Sequence, residues 1–161
     1  MKIKNIVDED FVNYKIPSMF IGLGTCNWKC CKEANIPIET CQNSELSQQK
    51  GIDISTEQIF RRYISNPISK AIVIGGLEPI TEWSNISELI SVFRNHNCND
   101  DFVIYTGHTK EEIKHILTFC QNNFSNIIFK FGRYKPNQDK HYDDVLGVYL
   151  VSDNQYGEVI C

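Results

Sequence analysis

No stretch of about eighteen consecutive apolar residues occurs in the chain, so nothing in it reads as a membrane-spanning helix. A basic stripe is also missing. The 16 Lys and Arg residues are scattered and outnumbered by 20 Asp and Glu, for a net charge of −4. Without clustered positive charge a nucleic-acid partner is not expected, and Arg61-Arg62 reads as a solvated helix face. The N-terminal MKIKNIVDEDF carries acidic residues where a signal peptide would have its apolar core, so secretion is not expected. The redox spacing Cys-x-x-Cys does not occur. Seven cysteines, an odd number, form no even disulfide framework across the chain. The expectation is a cytoplasmic protein with reduced thiols, in which clustered cysteines point to metal or catalysis.

What is present is ordinary in bulk, with 42% hydrophobic and 22% charged residues in 161, enough for one domain spanning 1–161. Apolar runs at 18–24 (SMFIGLG), 70–76 (KAIVIGG), 102–105 (FVIY) and 127–129 (IIF) read as buried strands, with shorter ones at 148–151 and 158–160. Between them, helices are expected from Ser55 or Thr56 to about Ser65, from Ser84, and from Thr109 with Glu112 completing a capping box. Residues 44–56 read as a loop and 133–146 as a polar surface excursion. Alternating strands and helices with continuous apolar strands mean parallel βα units. They are too few for a closed eight-stranded barrel, so the expected fold is α/β, a partial, open (βα) barrel of mostly parallel strands. A ligand is expected at the carboxyl ends of those strands, where the cysteine segment, Gly75-Gly76 and Thr106-Gly107 all fall.

Four of the seven cysteines stand between positions 26 and 41, in CNWKCCKEANIPIETC. Zinc is one reading, with Cys26, Cys30, Cys31 and Cys41 as four ligands, although the adjacent Cys30 and Cys31 would have to splay apart. Three thiolates on an iron–sulfur cluster with one iron left open is another.

Cys26-Asn27-Trp28-Lys29-Cys30 resembles the first half of the radical S-adenosyl-L-methionine motif C-x-x-x-C-x-x-C, and CQNSEL at 41–46 resembles its second half. Ten residues, 31–40, separate Cys30 from Cys41, where the family has two. Gly75-Gly76-Leu77-Glu78-Pro79 resembles the family's G-G-E-P segment with one leucine inserted. The stretch from Tyr105 to Ile113 is similar to T-G-Y-T-x-E-E-L of the activating proteins of anaerobic ribonucleoside-triphosphate reductase. Phe131-Gly132-Arg133-Tyr134, Ser152 to Ile160, and Asp10 to Asn13 also resemble segments of that subfamily.

The resemblance implies Cys26, Cys30 and Cys41 as ligands of a 4Fe-4S cluster, with Cys31 a bystander or an alternative ligand. It implies S-adenosylmethionine as cofactor, near Thr40, Gly75, Gly76, Glu78 and Thr106. It further implies reductive cleavage to a 5′-deoxyadenosyl radical, a glycyl-radical enzyme such as anaerobic ribonucleotide reductase as partner, and an electron donor such as flavodoxin or ferredoxin. The insert leaves open a different protein or peptide substrate, and a non-catalytic zinc-binding module is the alternative from another class.

Plainer roles compete at several positions. Gly75-Gly76 can be a strand-end turn, Thr106-Gly107 a helix start and His108 a residue at the mouth of the site. Cys120 reads as a helix core position, Cys98 and Cys161 lie too far along the chain for the cluster, and Asn154-Gln155 reads as a turn.

Overall fold

Four apolar runs form the centre of one sheet because each can be buried on both faces. In the computed structural model, which describes residues 1–161, they are β2 (Ser18–Leu23), β4 (Ala71–Gly76), β5 (Asp101–Tyr105) and β6 (Ile127–Phe131). They are parallel neighbours in that order. The other elements are β1 (Lys2–Asp10), α1 (Lys29–Ala34), α2 (Ser44–Gln48), β3 (Ile52–Asp53), α3 (Thr56–Ser65), α4 (Trp83–Asn95), α5 (Lys114–Asn123), β7 (His141–Asp143), β8 (Val148–Leu150) and β9 (Tyr156–Val159). The seven-stranded sheet runs β3-β1-β2-β4-β5-β6-β9, and its outer pairings, β3 with β1, β1 with β2 and β6 with β9, are antiparallel. The architecture is α/β as expected, and the sheet stays open between β3 and β9.

The chain steps from β2 to β4 to β5 to β6 always in one direction, through α3, α4 and α5. Crossovers of one hand stepping one way place every helix on the same face of the sheet. Burial bears this out. Ile72, Ile74, Phe102, Ile104, Ile127 and Phe129 join the main core with residues of all three helices. The alternate residues Ala71, Val73, Val103 and Ile128 form a smaller cluster on the other face with Tyr14, Leu146 and Leu150. That second face has no helix of the βα units to cover it. Within the main core, Phe93 of α4 stands edge-on to Phe60 and Phe102, with ring centroids 5.0 and 5.1 Å away.

Several sequence expectations change. The acidic N-terminus is a nine-residue strand, β1, in which only Ile3 and Asp10 are buried. It escapes an apolar-run criterion because pairing with β2 holds it while one face stays wet. Residues 44–56 are not simply loop but hold α2 and β3. The polar 133–146 excursion carries β7, which pairs with β8, and turns on a fully buried Leu146. Its polarity is structural, since the Asp143 carboxylate accepts from the amides of Leu146 (2.8 Å) and Gly157 (2.7 Å). The reciprocal Thr109 and Glu112 hydrogen bonds do form, yet residues 110–113 are turn and α5 begins only at Lys114. The last strand is Tyr156–Val159 rather than 158–160.

Truncating the aromatic centre of the core should be costly. Phe93→Ala is expected to destabilise the fold by about 3–5 kcal/mol, read as a lower urea midpoint with an unchanged denaturant slope.

Candidate functional site

The sheet face without helices holds a cavity of about 330 Å³ at the carboxyl ends of the parallel strands. Phe20, Tyr105 and Lys130 reach it from β2, β5 and β6, and Val148 and Leu150 of β8 close part of the opposite side. Cys26, Cys30 and Cys41 all line this cavity. Cys31 is buried and does not.

Hydrogen bonds to the end of β4 hold the two halves of the cysteine segment together. The Glu78 amide donates to the Thr25 carbonyl (2.8 Å), which fixes the chain next to Cys26. The Asn43 side-chain amide donates to the Gly76 carbonyl (2.5 Å), which fixes the chain just after Cys41. Between them α1 carries Cys30, and Asn35 ends that helix in the left-handed region at φ 52, a common helix stop. A single turn at Ile38–Thr40 then returns the chain to Cys41. The insert is therefore a short helix folded back on itself, and it restores a proximity that the linear spacing hides. Gly76 permits the arrangement through φ +83, and a Cβ there would meet the Gly22 Cα and the Leu23 amide nitrogen at 3.0 Å.

Of the proposed cofactor contacts, Gly75, Gly76, Glu78 and Thr106 line the cavity with the three thiols. Thr40 does not; it is exposed in the 38–40 turn. Glu78 is only 7% exposed, and its carboxylate is already engaged. It accepts from the Thr106 hydroxyl (2.7 Å) and the amides of Gly107 (2.9 Å) and Ile80 (3.1 Å), with His108 Nδ1 3.4 Å away. Burial pushes its pKa up, but bonds from His108, Thr106 and the Gly107 amide outweigh that and hold the carboxyl below its ordinary value. Glu78 thus acts as a charged strut between the loops after β4 and β5.

At the rim Arg133 pairs with Glu33 of the insert (2.9 Å) and with Glu112 (2.6 Å), and Lys29 also reaches Glu112. These bonds clamp α1 to the turn before α5. The hydrogen bond from Arg133, opposed by some burial and reinforced by Lys29, holds the Glu112 carboxyl well below the usual carboxylate range.

Sequence reading missed Lys130, Arg133 and Asn13 as cavity residues. One signal was available for Lys130: a lone charge inside the apolar run IIFKF, whose five positions are all buried. Asn13 is placed by its own turn, its amide donating to the Asp10 carboxylate (3.1 Å) while its carbonyl accepts from the Tyr105 hydroxyl (2.6 Å).

The profile of the 4Fe-4S single cluster domain matches residues 19–143. The chain belongs to that family. The matched span of this 4Fe-4S domain includes all three cavity-lining cysteines and the strand ends at Gly75-Gly76, Thr106-Gly107 and Gly132, and membership supports iron–sulfur binding. Comparison with curated proteins returns no match.

The residues fit such a cluster. Three thiols face one space, and the Trp28 amide donates to the Cys26 sulfur at 3.2 Å, the kind of bond that tunes a cluster's potential. Burial nonetheless raises the Cys26 thiol above its ordinary value, with only that amide opposing it. No three Cys, His, Asp or Glu side chains are disposed to hold a single metal ion. A cluster asks for something different, because each thiolate binds its own iron. The family favours an iron–sulfur cluster over the zinc-binding alternative.

Two outcomes follow. After anaerobic reconstitution, Cys26→Ala, Cys30→Ala and Cys41→Ala should each lose most bound iron and sulfide, whereas Cys31→Ala should keep them, as metal and sulfide analysis will read. The Glu112 contribution, at most about 1 kcal/mol, should be present above the ordinary carboxyl value of 4.5. It should fade as pH falls below that value, because a lowered folded-state pKa stabilises only while the group is ionised. Unfolding midpoints from neutral to acid pH should therefore fall less steeply for Glu112→Gln than for the unchanged chain.

Proposed function

We propose that the protein is a radical S-adenosylmethionine enzyme whose substrate is a glycyl-radical partner such as anaerobic ribonucleotide reductase. One observation carries this reading: the two separated halves of the cysteine motif meet beside the Gly-Gly-Leu-Glu strand end, on one wall of one cavity. The matched domain type is found in radical-SAM-related proteins, which supports it further. When bound, a cluster with one open iron would supply an electron to the cofactor's sulfonium, yielding methionine and a 5′-deoxyadenosyl radical that abstracts hydrogen.

The chain's own part is to bind, orient and exclude water. Cys26, Cys30 and Cys41 hold the cluster. Gly75 lacks a side chain where a Cβ would meet the Phe20 ring at 3.0 Å, so that ring can lie along the cavity floor. Glu78, Thr106 and His108 lock the two strand-end loops that frame the cofactor. Val148 and Leu150 of β8 and the half-buried Tyr105 ring give the cavity an apolar side. Electrons would come from a carrier such as flavodoxin or ferredoxin.

A different protein or peptide substrate is the second reading, favoured by Glu33, which brings the insert onto Arg133 at the rim and so reshapes the entrance. The reconstituted protein, given reductant and S-adenosylmethionine, should form 5′-deoxyadenosine, and Cys41→Ala should not. An intact cluster with no 5′-deoxyadenosine would overturn the enzyme assignment. A glycyl-radical signal by electron paramagnetic resonance with the reductase supports the first substrate, and its absence alongside active cofactor cleavage points to the second.

A further inference from the structure

One charged group in the cavity has no charged partner in contact with it. Lys130 is 8% exposed and lines the cavity, and its ammonium makes a single hydrogen bond, to the Gly132 carbonyl at 3.1 Å. A lysine ammonium has three N–H donors, so two remain unspent beside open space. Three other polar residues that line the cavity are already committed. Arg133 is held by Glu33 and Glu112, and the Glu78 oxygens are taken by Thr106, Gly107 and Ile80. Gln155 donates to the Gly132 carbonyl and accepts from the Val151 amide. Burial lowers the Lys130 amine to about 8, with Glu78 and Cys30 attracting its charge at longer range, so the group keeps its proton at neutral pH. Burying an uncompensated cation is expensive, and an anion entering the cavity would relieve that cost.

We propose that Lys130 recognises a carboxylate, and that this carboxylate is carried by the substrate. The inference rests on the radical-enzyme reading and narrows its substrate to a segment with a free C-terminus or an acidic side chain near the reacting position. A monoanion suits the site better than a phosphate. Lys130 offers one compact charge among Phe20, Tyr105, Val148 and Leu150, without the guanidinium fork or amide nest that a dianion favours. The cofactor's own methionyl carboxylate has the same chemistry, so the test separates the two sources.

The probes are N-acetylglycine and its neutral counterpart N-acetylglycinamide, titrated against the cluster-reconstituted protein with ligand-observed nuclear magnetic resonance, with and without saturating S-adenosylmethionine. The acid is expected to bind about tenfold more tightly than the amide, a factor typical of one charged hydrogen bond, and to do so with the cofactor present. Lys130→Met should abolish the preference by weakening the acid alone, and Lys130→Arg should retain most of it. Equal binding of the two probes to the unchanged protein overturns the proposal, and so does a preference that survives in Lys130→Met. A preference seen only without S-adenosylmethionine assigns the amine to the cofactor's carboxylate and overturns the substrate assignment. The unchanged protein's arms decide even if Lys130→Met fails to fold. None of them needs cofactor cleavage, so failure here is distinct from failure to form 5′-deoxyadenosine.

Discussion

The tie between the end of β4 and the cysteine segment is the constraint on which the site depends. Two hydrogen bonds make it, one from the Glu78 amide to the Thr25 carbonyl and one from the Asn43 side chain to the Gly76 carbonyl. Each lies within two residues of a cysteine that lines the cavity. Ten residues of insert are tolerated because loop length is cheap once the loop's ends are fixed. The insert continues the short helix that begins at Lys29 and carries Cys30, and that helix is pinned to the rim through Glu33 and Lys29.

The division of the sheet into two faces follows from connectivity. Crossovers stepping one way place α3, α4 and α5 together over the larger core. The opposite face is left to the β7–β8 hairpin and the 11–17 connection, which cover it incompletely and leave the cavity. Parallel strands then bring their carboxyl ends, with Gly75-Gly76, Thr106-Gly107 and Gly132, to one edge of that space.

Charge inside this region is unusually concentrated for an interior, and its members are treated unequally. Glu78 is hydrogen-bonded and Arg133 ion-paired within the protein, and both serve to brace loops. Lys130 has one carbonyl and the face of the Tyr105 ring, 5.9 Å away, but no charged partner in contact. The pattern of satisfied struts around one unsatisfied cation is what separates a binding surface from a merely polar core.

Much of this was legible from residue order alone. Apolar runs located all four central strands, helical spacing located α3 and α4, and the cysteine grouping located the site, because these signals are local and periodic. β1 was not legible, since an acidic strand wetted on one face carries a weak signal. The late start of α5 was hidden as well, because Glu112 divides its carboxylate among Thr109, Arg133 and Lys29. Residue types and spacing determined that thiol chemistry and parallel βα units belong to this chain. Only the tertiary structure decided that Cys41 joins Cys26 and Cys30 while Cys31 turns inward, that Thr40 stays outside, and that Lys130 faces the cavity without a charged partner. Those outcomes rest on hydrogen bonds and burial between segments distant in sequence, 33 residues in the Asn43–Gly76 contact and 83 in the Lys29–Glu112 contact, a range at which sequence pattern carries no distance information.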